Sequence, residues 1–508
     1  MKRRDAGVAA TKTRLSKSKF VDGVICPRRL YFQIHSPQLA AAGDEATQAM
    51  FDQGAEIGIL ATRAFPGGVR VEEGYEDIPG ALERTSGLVK DGAVPAVFEA
   101  AFEYDGVLVF VDVLERCSKG RWRLVEVKSS TSVKDHHRPD VAIQKYVLDG
   151  CGVPLAAASL MHVNGEYVYD GVRYDPRRLF SIEDLTPEVR KLARDIPGTL
   201  AGQRRMLARK APPDVAPDSQ CLEPFLCPFY AVCNEEKPAD WVGHIPHLGR
   251  RKLDALERKG IRSIPDLPAG FPLSARQARA VAAVKKRKPV FDKGLKRALA
   301  ELTYPLYFMD FETCSAALPP FAGMKPYQHL PFQWSVHVRR SPKAALEHHD
   351  FLAPPHGDPR KDFLEALLDV LGRGASSKGS IVVYNASFET ARLKDLARWV
   401  PGYKGVVERI TARLWDLLKV MREHVYHPGF QGSFSLKAVL PALVPGMGYD
   451  GMAIAEGGQA SLEYLNIVSG RYSPSKTGRV VRALREYCKK DTLALDKLLR
   501  VLEERAAV

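Results

Sequence analysis

The sequence predicts an α/β fold in two packed parts joined by a basic helical segment, and three observations carry that reading. Apolar runs of strand length alternate with amphipathic helical stretches along most of the chain. Two separate sets of carboxylates each begin in an apolar strand, one around residues 112–128 and the other spread over residues 310–491. Between them, Arg250 to Arg297 hold fifteen Lys or Arg against Asp254, Glu257, Asp266 and Asp292, so this segment supplies +11 of the formal net charge of +14. The expected divisions are 14–235, 240–300 and 303–508.

In the first part an N-terminal helical stretch precedes extended runs at 97–104 (VFEAAFEY), 107–116 (VLVFVDVLER) and 122–129 (WRLVEVKS). Short strands joined by turns imply a sheet containing a hairpin. A helix is expected at 138–150, a strand at 155–163 and a long helix from Pro187 to about Arg209. The Pro-rich stretch APPDVAP at 211–217 then leads into a cysteine cluster. The middle segment reads as helical with loops at Pro265, Pro268 and Pro272. From 303 onward, strands in YPLYFMDF, FQWSVHVRR and SIVVYN alternate with amphipathic helices and end in a long helix from about 476 to 505. No internal repeat interrupts this order.

With 508 residues, 45% hydrophobic and 26% charged, the chain has enough material for two or three packed cores and is neither fibrous nor disordered in composition. The first nineteen residues carry seven Lys or Arg but no apolar run fit for a signal peptide. No later stretch has the ~18 uninterrupted apolar residues of a membrane span. A cytoplasmic location without membrane contact is therefore expected, and the positive charge favours a polyanionic partner. Eight cysteines are too few for a disulfide framework in a chain of this length. Cys26, with the C-x5-C-x5-C set Cys221, Cys227 and Cys233, reads as a group of metal ligands, and Cys117, Cys151, Cys314 and Cys488 as core thiols.

Asp112 lies within the apolar run VFVDVLE, and Glu126 and Lys128 project from the same face of the next strand while Val127 points away. Two acids and a lysine at one sheet edge suit phosphodiester hydrolysis: carboxylates hold Mg2+ or Mn2+ against a phosphate oxygen, and an ammonium orients water and offsets developing charge. An isolated E-x-K is also common as a surface ion pair; the acid embedded in the neighbouring apolar strand separates the two readings. With ICPRRLYF around Cys26 and CLEPFLCPFYAVC at 221–233, residues 14–235 resemble the PD-(D/E)XK nucleases of the restriction-endonuclease-like fold. The likeness is to the RecB-like group with an iron-sulfur cluster, including CRISPR-associated and AddB-type members. It implies Asp112 and Glu126 as metal ligands, Lys128 as the catalytic lysine, Gln144 as the helix glutamine, and a [4Fe-4S] cluster on Cys26, Cys221, Cys227 and Cys233. Tyr146 follows Gln144 by two positions where the family has four, and FDQGAEIGILA has no counterpart of the family's helix histidine. Zinc is the alternative occupant of four thiolates, although five-residue gaps are loose for zinc pairs. Either metal ties Cys26 to the distant cluster and couples binding to folding.

The second set begins in YPLYFMDFET, which puts Asp310 and Glu312 on one face of a strand. VVYNASFETARL places Glu389 where a strand gives way to a helix, and EYCKKDTLAL sets Tyr487 and Asp491 four apart on one helical face. Together these fragments look like the DnaQ-like 3'-to-5' exonucleases of the ribonuclease H-like fold, DEDDy subgroup, over about 303–505. The resemblance implies Asp310, Glu312, Glu389 and Asp491 as ligands of two divalent metals, Tyr487 as the residue that positions water, and Asp416 as a structural aspartate. Glu389 departs from the family's aspartate by one methylene.

In the middle segment, IPHLGRRKLDALERKGIRSIPDLP resembles half of a helix-hairpin-helix, whose turn at Lys259-Gly260-Ile261 would offer amides to a phosphate. A glycine helix cap explains the same letters. KKRK at 285–288 is a second candidate phosphate contact, and Tyr304, Tyr327, Phe332 and Trp334 suit core packing or base stacking. The expected function is a metal-dependent nuclease acting on DNA with single-stranded ends, in prokaryotic repair, recombination or defence. The alternatives are a chain in which only the first site cuts, and a non-catalytic nucleic-acid-binding adaptor.

Overall fold

The computed structural model describes residues 14–507 apart from 44, 236, 375 and 376. It is mixed α/β and divides into two compact units, Met1–Glu235 with Ala317–Tyr327, and Glu236–Ala316 with Gln328–Val508. Among the described residues, no helix is long and apolar enough to cross a membrane.

The first unit is built on a seven-stranded sheet comprising β1 (Leu15–Ser16), β2 (Val69–Arg70), β3 (Ala96–Tyr104), β4 (Val107–Arg116), β5 (Trp122–Lys128), β6 (Leu155–Val163) and β7 (Phe180–Asp184). The order is β2-β3-β4-β5-β6-β7, with β1 parallel to the start of β4. Strands β3, β4 and β5 are antiparallel neighbours, and β6 runs parallel to β5. The β3–β4 hairpin turns at Asp105-Gly106, both at positive φ (49° and 68°), the backbone a two-residue hairpin needs to match strand twist. The helices are α1 (Lys17–Ile25), α2 (Pro27–His35), α3 (Glu45–Thr62), α4 (Ile78–Lys90), α5 (His137–Gly150), α6 (Pro176–Leu179), α7 (Thr186–Leu207) and α8 (Tyr230–Asn234).

Strand alternation sorts this unit into two cores. Val97, Leu114 and Leu124 pack with Val141 and Val147 of α5 and Leu200 of α7, whereas Val113, Val125 and Met161 pack with Ile57 and Leu60 of α3. Ala317 joins the second of these cores, and Tyr327 packs against it, so part of the 303–508 stretch belongs to this unit.

The whole basic segment belongs to the second unit. Val242, Ile245, Leu248, Leu256, Ile264, Leu267 and Val281 give it a small core of its own, around α9 (Arg250–Glu257) and α10 (Ala275–Lys286). Helix α9 closes with Gly260 at φ 72°: the Gly260 amide donates to Glu257 O (2.9 Å) and the Ile261 amide to Leu256 O (3.0 Å). Lys259 N also donates to Leu256 O (3.0 Å), so the helix end takes up all three amides that the sequence had offered to a phosphate. Lys285, Lys286, Arg287 and Lys288 are exposed at the end of α10.

Beyond it come β8 (Val290–Phe291), α11 (Leu295–Leu299), β9 (Leu306–Cys314), β10 (Leu330–Arg339), β11 (Leu346–Leu352), α12 (Arg360–Leu371), β12 (Ile381–Val383), α13 (Ala386–Trp399), α14 (Lys404–Thr411), β13 (Leu414–Asp416), α15 (Leu417–His424), β14 (Val425–Tyr426), α16 (Leu436–Leu443), α17 (Gly457–Val468) and α18 (Pro474–Ala507). The five-stranded sheet has the order β11-β10-β9-β12-β13, with β9, β10 and β11 antiparallel and β12 and β13 parallel to β9. Strand β10 is buried at every position. Its apolar face (Trp334, Val336, Val338) meets α12, while on its polar face Gln333 donates to Leu484 O and Ser335 and His337 bond Thr492 of α18. Phe332 stacks on Tyr464 with ring centroids 4.0 Å apart, and Trp334 is buried, so both serve packing.

Candidate functional site

In the first unit the sheet itself places the acids. The β4–β5 ladder reaches Val113–Val125, and there Asp112 Oδ2 accepts the Val127 amide at 2.7 Å. Glu126 and Lys128 project on the same side, and α5 brings Gln144 over them, so all four residues expected from sequence converge. Glu126 is buried; its Oε1 accepts from Lys128 Nζ (2.6 Å) and Lys17 Nζ (2.8 Å), and its Oε2 from Gln144 Nε2 (2.7 Å) and Lys17 Nζ (2.9 Å). Lys128 also donates to Asp140 Oδ2 at 2.6 Å. A cavity of about 420 Å³ is lined by Lys17, Glu99, Asp112, Glu126 and Lys128.

Burial sets the charges here, and the lysines then decide them. Burial pushes Asp112 up to about 7, with Glu126 adding to the rise and Lys17 and Lys128 opposing it. Burial would raise Glu126 too, but Lys128 and Lys17 outweigh it and hold that carboxyl well below the usual range. Conversely, Glu126 and Asp140 overcome burial to keep Lys128 protonated above its ordinary value.

Three participants escaped the sequence reading. Lys17 opens α1, far from the motif. Asp140 stands one turn before Gln144 on α5, a spacing of four that shares a helical face and was available in the sequence. Glu99 falls between the pairs Phe98–Val113 and Ala100–Val111, across from Asp112, at a left-handed φ of 55°. Tyr146, by contrast, turns away to donate to Asp105 at 3.2 Å.

The four cysteines come from two places. Cys26 stands between α1 and α2; Cys221, Cys227 and Cys233 lie in residues 219–234, where the Cys227 amide donates to Cys221 O at 2.8 Å. Burial raises the Cys227 and Cys233 thiols, and each is influenced by Cys26 and Cys221, so the four share one neighbourhood. Among the described residues no three of these sulfurs lie within 4.8 Å of one another. Arg29 acts on Cys227 and Arg28 on Cys233. Arg28 Nε and Arg29 Nε and Nη1 are buried without hydrogen-bond partners. Cationic donors left unsatisfied beside thiols suit an anionic sulfur-rich group.

In the second unit β9 carries Asp310 and Glu312, the first turn of α13 carries Glu389, and α18 carries Tyr487 and Asp491. All five line one cavity of about 400 Å³, joined by Lys437 and Tyr449. Oxygens of Asp310 and Glu312 and the Cys488 sulfur lie within 4.8 Å of one another. Tyr449 donates its hydroxyl to Asp491 Oδ1, and Glu389 Oε2 is buried without a partner. Asp416 caps α15 through the Lys419 amide (2.8 Å) and accepts the Ala386 amide (3.1 Å), which fixes the start of the helix bearing Glu389.

Here burial outweighs the compensating groups. Burial, then Asp491, pushes Glu312 up to about 8; burial and Asp416 take Glu389 to about 8. Asp310 rises well above its ordinary value through burial, Asp491, Glu312 and Glu389, and burial lifts Asp491 to about 6 against the Tyr449 hydrogen bond. An all-oxygen carboxylate set with an orphaned buried oxygen fits a hard divalent cation. Tyr449, Lys437 and Cys488 were not legible as site members: the first two lie in no recognisable fragment, and Cys488 reads as a core thiol, which its full burial also makes it.

Residues 307–435 match a family model described as a domain of unknown function, DUF2779. The chain is 24% identical over 212 residues to the uncharacterized protein MG366 of Mycoplasma genitalium, covering 39% of this chain and 32% of that protein. The MG366 homolog of Mycoplasma pneumoniae is 25% identical over 203 residues, covering 37% and 30%, and the uncharacterized protein UU173 of Ureaplasma parvum is 30% identical over 96 residues, covering 17% and 14%. The chain thus spans about a third of the length of the first two relatives. A solved structure titled "Crystal structure of SSO0001" aligns over 45% of this chain and 89% of its own, at 15% identity and a TM-score of 0.24.

Proposed function

We propose that the chain is a metal-dependent nuclease with two phosphodiester-hydrolysing sites, one RecB-like within a PD-(D/E)XK fold and one DnaQ-like within a ribonuclease H-like fold. The observation that carries the reading is the gathering of Asp310, Glu312, Glu389, Tyr487 and Asp491 from three distant elements around one cavity. The β11-β10-β9-β12-β13 order, with the Asp310 strand central, supports the fold assignment. Asp112 with Glu126, and Asp310, Glu312, Glu389 and Asp491, are the residues that would hold Mg2+ or Mn2+. When bound, such ions polarise a phosphoryl oxygen and make water a better nucleophile.

The chain's own groups supply the rest. Lys128, held by Glu126 and Asp140, keeps its proton and presents positive charge where negative charge develops on the phosphate. Gln144 fixes Glu126 through Oε2. Tyr487, on the helical face that carries Asp491, is placed to orient water at the second cavity. Cys26, Cys221, Cys227 and Cys233 would hold a [4Fe-4S] cluster, supported by Arg28 and Arg29, whose role is to join the two ends of the first unit. Single-stranded DNA ends are the proposed substrate.

The test uses anaerobically purified full-length protein on DNA labelled at either end, comparing wild type with Lys128→Ala and Asp310→Ala. Each change is expected to remove part of the cleavage. If neither alters it, the two-site reading is wrong. Tight binding in EDTA without cleavage in Mn2+ would instead identify an adaptor.

A further inference from the structure

We propose that Lys17 sets the metal affinity of the Asp112–Glu126 site by acting as an internal competitor: its ammonium occupies the position bridging these two carboxylates that a divalent ion must take. The inference rests on the reading of that site as metal-dependent.

A carboxylate offers about two acceptor positions per oxygen. Glu126 Oε1 receives Lys17 and Lys128, and Oε2 receives Lys17 and Gln144, so both oxygens are fully engaged. An ion can join Glu126 only if one partner withdraws. Gln144 is buried on α5 and also bonds Asp140, and Lys128 is shared between Glu126 and Asp140, so both are tied to two acids. Lys17 is different. It lies 2.8 Å from Glu126 and 3.8 Å from Asp112 Oδ1, the pair proposed to hold the ion, and 4.0 Å from Asp140. It also sits at the first position of α1, on a flexible four-carbon stem and outside β4, β5 and α5, the elements that carry the acids. Asp112 Oδ2 accepts the Val127 amide, and Oδ1 is the oxygen that faces Lys17.

The competition predicts that removing the charge, not the packing, tightens metal binding. The measurement is Mn2+ binding by equilibrium dialysis on the full chain carrying Glu312→Gln and Asp491→Asn, which weaken the other carboxylate site. In that background Lys17→Met and Lys17→Gln are expected to bind Mn2+ at least about tenfold more tightly, since a like charge ~4 Å away is strongly opposed to an ion. Lys17→Arg keeps the charge and should stay near the parent. Thermal melting provides a second readout: Mn2+ should raise the Tm of Lys17→Gln more than that of the parent. Unchanged or weaker binding in both neutral variants overturns the inference while leaving the metal site standing. A separate control, Asp112→Asn, isolates the underlying reading: if Mn2+ binding in the parent survives that change, the site is not a metal site and both fail.

Discussion

Both units gather buried carboxylates around a cavity of similar size, but they differ in what balances the charge. In the first, Lys17 and Lys128 sit among Asp112, Glu126 and Asp140 at hydrogen-bond or ion-pair distance. In the second, Lys437 acts on Glu312 and Asp491 and Lys490 on Asp491, yet burial pushes all four carboxyls upward. One cluster of acids is balanced by lysines in direct contact, whereas in the other burial outweighs the nearby lysines and favours proton uptake. The first arrangement tolerates the absence of metal; the second is destabilised by its own ionisation.

The comparison can be broken most decisively at the reacting groups. Lys128→Ala is expected to lower cleavage at the first site on the order of 10²–10³-fold, the range for losing one charge-stabilising group, and leave the second site unchanged. Asp310→Ala should do the reverse. The cysteines sharpen the contrast next: Cys26→Ser, or oxidation of the wild type, should unfold or silence the Asp112 site while sparing the Asp310 site. Loss of both activities together would show that the units are coupled.

A pH series separates the two by sign. Glu312 binds its proton more tightly folded than unfolded, so metal-free stability of the second unit should fall as pH rises from the ordinary glutamate value of about 4.3 toward about 8. Glu126 behaves oppositely: its depressed value gives stability present above the ordinary range and lost as pH falls. Melting curves in EDTA at pH 5 and pH 8, repeated with Mn2+, check both, and Mn2+ should help the second unit most at pH 8. The smallest effect belongs to Tyr449→Phe. Without that hydroxyl Asp491 loses a donor, and the rate at the second site should change by less than about tenfold, the equivalent of one hydrogen bond.

How much of this was legible in the sequence depended on the range over which the signal acts. Strands β4, β5 and β6 were readable because their apolar runs are continuous and bounded by turns, whereas Gln144 came only from the family resemblance, which implies a helix glutamine there. Lys17 was not, because it lies 109 positions from Glu126 and carries no motif among the basic residues around it. Strand β10 shows where alternation stops being informative: Gln333, Ser335, His337 and Arg339 alternate with apolar residues, yet α18 covers them and bonds each side chain. The basic segment likewise reads as a linker because its apolar residues are sparse, but seven of them suffice for a small core. Its Gly260 turn had two readings, and the backbone bonds closing α9 follow the helix-cap one.

We propose that two independent sites hydrolyse phosphodiesters, and the most direct measurement compares the double variant Lys128→Ala/Asp310→Ala with each single variant. The assay uses 5'- and 3'-labelled single-stranded DNA in Mn2+ under anaerobic conditions. Each single variant is expected to retain cleavage with its own product pattern, and the double variant to be indistinguishable from an EDTA control. Cleavage by the double variant at the wild-type rate, with wild-type products, would contradict the proposal.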